Sequence, residues 1–255
     1  MFKGTKEGND EEIDFVKNYN KGGHKQVDKL LGIKRDNVYA IRVTQKKFGK
    51  INGNKILCKA DVFLAKGSIN KEYLEALNYY LDESVSDFEF KPIPFTGISV
   101  KRKDSRIYTI MKISPPTFKK VFGSNVLAAG ASLYCRKEDE FYKNKHVLNG
   151  WGVTTNEIIK YFSPLISGQN DLIDKEKLGL IKKLSNQEIH NTILNNKKIR
   201  DLCFQGKGNF QEPYTASLIF KNNQITKNIV EQFVITTGSG RSRGDFTIVL
   251  KPKTS

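Results

Sequence analysis

Cysteine is scarce in this 255-residue chain, whose three cysteines, Cys58, Cys135 and Cys203, lie far apart. None belongs to a CxxC motif or to a cluster with histidine, so the sequence indicates neither a zinc finger nor a disulfide framework. The three histidines share no metal-ligand spacing either, and we expect them to be surface or capping residues.

Long apolar runs are also lacking. No stretch approaches the roughly 20 apolar residues that span a bilayer, and a polar, charged segment follows Met1. The sequence therefore predicts no membrane partner and a cytoplasmic location.

Acidic residues are outnumbered by basic ones, with 27 Asp and Glu against 43 Lys and Arg and a net charge of +16. A charge so far from zero attracts polyanions over long range, which makes nucleic acid the first partner to consider. Apolar residues make up 38% of the chain, enough for a substantial core. We expect one domain over residues 1–255.

The residue patterns predict a mixed α+β fold in which helices flank a sheet. A helix is expected from Asn9, as its N-cap, to Asn20, and an amphipathic helix over 69–81. Strand-like segments surround the second helix, helices dominate after Pro115 and Pro116, and the tail returns to strands. The predicted strands cover residues 38–44, 55–65, 87–91, 97–105, 106–114, 214–220, 228–237 and 245–251.

Two of these strands carry side chains suited to phosphodiester hydrolysis. Asp61 lies in the otherwise apolar KADVFLA segment, where a buried carboxylate is costly unless a metal ion or a donor compensates it. Ser99 and Lys101 are two residues apart in GISVKRKDS and share one face of the strand. A carboxylate that holds a divalent metal ion, beside a cation that offsets developing charge, is the arrangement that this hydrolysis requires.

The order of these motifs resembles the PD-(D/E)xK nucleases, and more narrowly the type II restriction endonucleases of the MspI kind. The matching residues are the G-N-x-x-E of the first helix (Gly8, Asn9, Glu12), Lys59 to Asp61, and Gly97 to Lys101. The resemblance implies a twisted mixed sheet with flanking helices, Mg²⁺ as cofactor, and Asp61 and Glu12 as metal-facing acids. It also implies that Lys101 positions the attacking water, and it covers roughly the first half of the chain.

The chain departs from this pattern at Ser99, which replaces the usual acid and is a weak metal ligand. Glu89 and Lys91 in DFEFK match the E-x-K form and are the alternative catalytic pair. Pro92 follows them, and proline is tolerated in a sheet only at an edge. Both assignments stay open at this stage, with Ser99 and Lys101 preferred.

Several basic and hydroxyl side chains are predicted to contact DNA. Near the catalytic strand they are Arg102, Lys103 and Ser105, which are suited to phosphate contacts. In the tail, the GSGRSRG run between two strands provides Ser239, Arg241 and Arg243. Arginine pairs bidentately with the major-groove edge of guanine, so this loop is a candidate for reading bases.

These observations predict a type II site-specific endonuclease that cleaves double-stranded DNA with Mg²⁺. Its catalytic core is expected over residues 8–135, with DNA-recognition elements over 136–255 and a cognate DNA methyltransferase as a genetic partner. A repair or junction-resolving nuclease of the same fold and a non-enzymatic DNA-binding protein are the alternatives. The target sequence, the cleavage position, the number of metal ions and the choice between monomer and homodimer stay open.

Overall fold

The computed structural model describes residues 3–43, 48–51, 54–81, 89–104, 108–133, 145–166, 175–239 and 246–253. Its strands are β1 (Val38–Arg42), β2 (Phe48–Ile51), β3 (Asn54–Leu57), β4 (Val62–Gly67), β5 (Phe90–Pro92), β6 (Ile98–Val100), β7 (Met111–Ile113), β8 (Leu218–Lys221), β9 (Gln224–Lys227), β10 (Phe233–Ser239) and β11 (Phe246–Pro252). Its α-helices are α1 (Lys3–Asn20), α2 (Lys25–Leu31), α3 (Lys71–Ala76), α4 (Pro115–Phe122), α5 (Val126–Ser132), α6 (Lys145–Trp151), α7 (Thr155–Phe162), α8 (Lys175–Asn195) and α9 (Lys197–Gln205). None of these helices has both the length and the apolar character that crossing a membrane requires.

The chain divides into two compact units that alternate along the sequence. The first unit comprises Met1–Arg106 and Asp201–Ile229, and the second comprises Ile107–Arg200 and Val230–Ser255. The expected division into a core over 8–135 and recognition elements over 136–255 stays a prediction about function.

The first unit contains a mixed sheet with the strand order β1-β4-β6-β8-β9, and β5 also pairs with β4. The pairing of β6 with β8 is parallel, whereas the other pairings in this sheet are antiparallel. A mixed sheet flanked by helices confirms the coarse fold class expected from the sequence.

Helix α1 packs on this sheet through one apolar stripe. Phe15, Val16 and Tyr19 are fully buried, at the spacing that places them on one helix face. The side chain of Asn20 then both accepts from the backbone N of Ala40 (2.7 Å) and donates to its carbonyl oxygen (3.1 Å). These bonds satisfy backbone groups of β1 that no neighbouring described strand pairs, and they fix the end of α1 against that strand.

The structure corrects two predicted helix boundaries. Helix α1 begins at Lys3, so Asn9 lies inside the helix and is not its N-cap. The helix expected over 69–81 is only Lys71–Ala76, with Asn70 as a true N-cap that accepts from the backbone N of Tyr73. It ends early because Asn78 and Tyr79 have positive φ angles of 52° and 64°, which no right-handed helix accommodates.

The second unit packs helices around α5, all of whose residues are buried. Gly130 of this helix lies so close to α8 that an added Cβ would stand 2.2 Å from Oγ of Ser185. Trp151 is 1% exposed and its indole N donates to Oγ of Ser132 at 2.9 Å, as expected for a core anchor. The antiparallel sheet of this unit has the order β10-β11-β7.

Candidate active site

Asp61 lies immediately before β4, where backbone hydrogen bonds hold it on both sides. Its N donates to the carbonyl oxygen of Ile98 (2.9 Å), and its own carbonyl oxygen accepts from the N of Val43 (2.9 Å). The residue was expected inside an apolar strand, and the structure places it at the start of one. Because these backbone bonds continue the sheet, the backbone of Asp61 is still held by the strands on both sides.

The carboxylate of Asp61 accepts hydrogen bonds from the neighbouring strand β6. Its Oδ2 atom accepts a hydrogen bond from Oγ of Ser99 (3.0 Å) and another from the backbone N of Val100 (2.8 Å). Among the described residues, no hydrogen bond reaches Oδ1 of Asp61. One oxygen is therefore fixed by donors while the other keeps its lone pairs for a further ligand.

Lys101 brings a positive charge to the same carboxylate. Its Nζ lies 3.9 Å from Oδ2 of Asp61, and the two side chains are 24% and 27% exposed. The backbone N of Lys101 donates to the carbonyl oxygen of Phe220 in β8 (2.8 Å), which extends the parallel pairing past the end of β6. The predicted sharing of one strand face by Ser99 and Lys101 is thus confirmed, since both side chains reach Asp61.

Glu12 of α1 is held by the buried guanidinium of Arg42, the last residue of β1. Arg42 donates to Oε2 of Glu12 through Nη2 (2.8 Å) and Nε (3.3 Å), and Nη2 also donates to Oδ1 of Asn9. The guanidinium lies 4.3 Å from the centre of the Tyr80 ring and donates to the carbonyl oxygen of Asn78 (3.4 Å). Arg42 therefore fixes the side of α1 that carries Glu12.

Lys59, two residues before Asp61, is a second lysine at this site. Its Nζ donates to the carbonyl oxygen of Cys203 (3.1 Å). Gly206 closes over its side chain, since a Cβ at that position would stand 2.7 Å from Cγ of Lys59. Burial lowers the pKa of Lys59 to about 8, and the positive charge of Lys101 also lowers it. Residues 201–229 thus help to enclose the site.

The two acids of the site are electrostatically coupled. Burial raises the pKa of Asp61, against the opposing effects of Lys101 and of the donors on β6. Burial also raises the pKa of Glu12, and the charge of Asp61 raises it further, while Arg42 lowers it. Two nearby carboxylates with raised pKa values form a site that a cation would stabilise.

The sequence matches no protein-family model. Searches of curated proteins and of solved structures find no match either.

The alternative catalytic pair, Glu89 and Lys91, does not lie beside Asp61. In the pairing of β4 with β5, Lys91 stands opposite Lys66, near the end of β4 that lies away from Asp61. Glu89 comes just before β5 and is exposed. Pro92 is accommodated because β5 pairs with no described strand other than β4. The structure therefore joins Asp61 to Ser99 and Lys101 and leaves Glu89 and Lys91 elsewhere.

The predicted DNA contacts fall in different parts of the chain. Arg102 and Lys103 follow Lys101 directly, and the backbone N of Lys103 donates to Oε1 of Glu11 (3.4 Å). Ser239 ends β10 in the second unit. Ser105, Arg241 and Arg243 lie outside the described residues.

Arg42 and Lys59 are the residues of the site whose roles the sequence analysis missed. Arg42 is a charged residue inside the apolar VYAIRVT segment, so the argument that singled out Asp61 applies to it equally. Lys59 lies two positions before Asp61, the spacing that shares a strand face.

The site provides a limited set of metal ligands. No cluster of three or more His, Cys, Asp or Glu side chains suited to a metal occurs in the part of the chain that the structure describes. Magnesium, however, is commonly bound by one or two carboxylates together with water and substrate phosphate oxygens. Oδ1 of Asp61 and the carboxylate of Glu12 fit that smaller requirement.

Proposed function

We propose that this chain is a Mg²⁺-dependent endonuclease that hydrolyses phosphodiester bonds in double-stranded DNA. The observation that carries the proposal is the convergence of Asp61, Ser99 and Lys101 beside one end of the mixed sheet, with Glu12 near enough for the charge of Asp61 to raise its pKa. The net charge of +16 supports a polyanionic substrate. A restriction-endonuclease-like fold, a cytoplasmic location and action at a specific target site belong to the same proposal.

Each residue of the proposed site has a role that follows from its charge and position. Asp61 and Glu12 would hold Mg²⁺, which when bound supplies a Lewis acid that activates water and neutralises phosphate charge. Ser99 and the backbone N of Val100 orient the Asp61 carboxylate through Oδ2. Lys101, close to that carboxylate, is placed to position the attacking water and to stabilise negative charge as it develops on the phosphate.

The direct test is cleavage of plasmid and linear duplex DNA by the purified protein with Mg²⁺ or with EDTA. We expect discrete fragments with Mg²⁺ and none with EDTA. The Asp61→Asn variant should cleave at least about 100-fold more slowly, the scale of losing one electrostatic group at an active site. The Glu89→Gln variant should cleave at the rate of the unaltered protein. It removes an exposed carboxylate of the alternative catalytic pair.

Other outcomes separate the alternatives. Full activity in Asp61→Asn would overturn the proposed site. Loss of activity in Glu89→Gln would favour the alternative catalytic pair. Cleavage of branched substrates alone would indicate a junction-resolving nuclease. Salt-dependent DNA binding without cleavage would indicate a non-enzymatic binding protein, the reading favoured by the small number of carboxylates at the site.

A further inference from the structure

The first unit carries a concentration of positive charge at the end of its sheet that lies away from Asp61. Lys66 is the fifth residue after Asp61, so the two are about 16 Å apart along β4 at roughly 3.3 Å per residue. Lys66 and Lys91 are both exposed. We use the name distal basic cluster for these two lysines together with Lys21, Arg35 and Lys71.

Two of these lysines stand directly opposite each other. In the antiparallel pairing of β4 with β5, Lys66 is the register partner of Lys91. Directly opposed residues have their Cβ atoms roughly 5 Å apart, and like charges in that position are destabilising. An anion held between the two ammonium groups would remove this repulsion.

The other members of the cluster line a neighbouring cavity of about 380 Å³. On the opposite side of β4, Lys66 is the register partner of Val38, and Val38 lines this cavity. Lys21, Arg35 and Lys71 line it as well, together with polar groups that include Asn20 and Asn37. The cavity therefore adjoins the strand that carries Lys66 and presents three cationic side chains.

Arg35 lines this cavity in contact with an acidic and an aromatic side chain. Its Nη2 pairs with Oδ2 of Asp28 at 2.6 Å, and its guanidinium lies 4.2 Å from the centre of the Tyr19 ring. Its Nε is buried and donates to no described residue. Because Nε has almost no exposed surface, a phosphate in the cavity would interact with the charge of this guanidinium and not with Nε.

Ordinary structural effects account for only part of this charge. Lys21 follows the C-terminal end of α1, where the helix dipole favours a cation. The dipole does not explain the facing lysines. Asp28 pairs with Arg35 and accepts from the hydroxyl of Tyr19 (2.6 Å), so it offsets the charge of Arg35, and the positive charge of the cluster comes from its four lysines.

We propose that the distal basic cluster binds phosphate groups of the DNA backbone at a second place on the duplex, away from the region that reaches Asp61. This inference rests on the proposed function, since it takes duplex DNA as the ligand. Lysine and arginine contacts to phosphate fix the position of a protein on DNA without reading its sequence. The cluster would hold the duplex at a second point and so determine which bond lies at the site.

The test compares three double variants that each remove two positive charges. Lys66→Gln/Lys91→Gln alters the facing pair and Lys21→Gln/Lys71→Gln alters the cavity. Lys25→Gln/Lys29→Gln is the matched control, since it alters exposed lysines of α2 that do not line the cavity. Binding of a fluorescent 30-base-pair duplex is measured by anisotropy over a salt series with Ca²⁺ in place of Mg²⁺.

We expect each cluster variant to bind several-fold more weakly at moderate salt. Its slope of log Kd against log salt concentration should be smaller by about 1 to 2, because each lost phosphate contact removes roughly 0.9. The control should keep the slope of the unaltered protein. Thermal unfolding checks that all three variants fold.

Equal slopes in the cluster variants and the control would overturn the inference even if the protein cleaves DNA. Reduced slopes in a protein that cleaves no DNA would uphold the cluster and overturn the proposed function instead. Inorganic phosphate distinguishes the source of the anion. If millimolar phosphate raises the Tm only when the cluster is intact, while DNA affinity is the same in all variants, the cluster binds free phosphate and the DNA assignment fails.

Discussion

At the scale of single residues, the character of the site depends on Ser99. This side chain is 5% exposed and donates to Asp61, in a position where the resembled nucleases usually carry an acid. A hydroxyl here orients the carboxylate without adding negative charge. The Mg²⁺ site proposed above therefore has one carboxylate fewer than an acid at this position would give it.

Replacing Ser99 by an acid should make stability depend on the metal. In Ser99→Asp, a second carboxylate would lie about 3 Å from the first, so repulsion should lower the Tm without divalent cations. Added Mg²⁺ should raise the Tm of Ser99→Asp more than that of the unaltered protein, because ligands that bind only the folded state stabilise it. The neutral isostere Ser99→Asn is the control, and an equal Mg²⁺ response in both variants would contradict this prediction.

His24, expected from the sequence to be a surface or capping residue, provides a second prediction at this scale, because it occupies the N-cap position of α2 and is buried there. Its ring stacks on Phe15 (centroids 4.8 Å apart) and meets Phe220 edge-on (4.8 Å). It precedes α2 but makes no capping hydrogen bond through its side chain. Burial, together with the charge of Arg35, lowers its pKa below the usual 6.5.

The lowered pKa fixes the direction of the pH effect. Below pH 6.5 the unfolded chain takes up a proton at His24 that the folded chain resists, so the free energy of unfolding falls as the pH drops. Thermal unfolding from about pH 7.5 to about pH 5 should show this fall. The fall should be smaller in His24→Asn, because asparagine does not titrate. Asparagine is the chosen replacement because it tolerates the left-handed backbone found at this position (φ 51°). Identical pH profiles would show that His24 titrates alike in both states.

At the scale of secondary-structure elements, the docking of α1 determines where Glu12 lies. The helix buries Phe15, Val16 and Tyr19, but its orientation near the site comes from the bonds of Arg42 to Glu12 and Asn9. A buried ion pair of this kind adds little net stability when intact. Removing one partner alone is costly because the other charge is left without compensation.

Arg42→Met should therefore lower the free energy of unfolding by about 3 kcal/mol, the low end of the range for a broken buried pair. The low end applies because the Glu12 side chain is 25% exposed. Adding Glu12→Gln in the same chain should recover part of the loss, since the uncompensated carboxylate is then absent. Urea unfolding of the single and double variants measures the effect, and a double variant as unstable as the sum of the singles would contradict it.

The elements also show how far the sequence alone could go. Segments of strand-like composition predicted β1, β4 and β8, and the two-residue spacing of Ser99 and Lys101 predicted their shared face. The end of α3 was missed because propensity does not report the left-handed backbone of the residues that follow it. The approach of Lys59 to Cys203 was missed because local periodicity carries no information about partners 144 residues away.

At the scale of the whole molecule, the sheets of the two units are built from strands of different parts of the chain. The strands of the first unit's mixed sheet all come from residues before 107 or from 201–229. The sheet of the second unit takes β10 and β11 from the end of the chain, and Phe246 of β11 packs against Gly150 of α6. Each unit thus depends on a different late segment.

A chain that ends at residue 229 should lose the second unit and keep the first. Without β10 and β11, β7 has no partner among the described strands, and the apolar groups that they cover become exposed. Hydrogen exchange should show lost protection over residues 115–132 and retained protection over 57–67 and 98–101. Loss of protection in both sets of peptides would contradict this prediction.

The parallel pairing of β6 with β8 also has a consequence for synthesis of the protein. β6 ends at Val100 and β8 begins at Leu218, so the ribosome makes more than a hundred residues between the two strands. At roughly 5 to 20 residues per second this takes on the order of ten seconds. During that time Lys101 lacks its backbone bond to Phe220, and Lys59 lacks its acceptor on Cys203. The nascent chain therefore carries Asp61, Ser99 and Lys101 in an unfinished site until β8 has been translated.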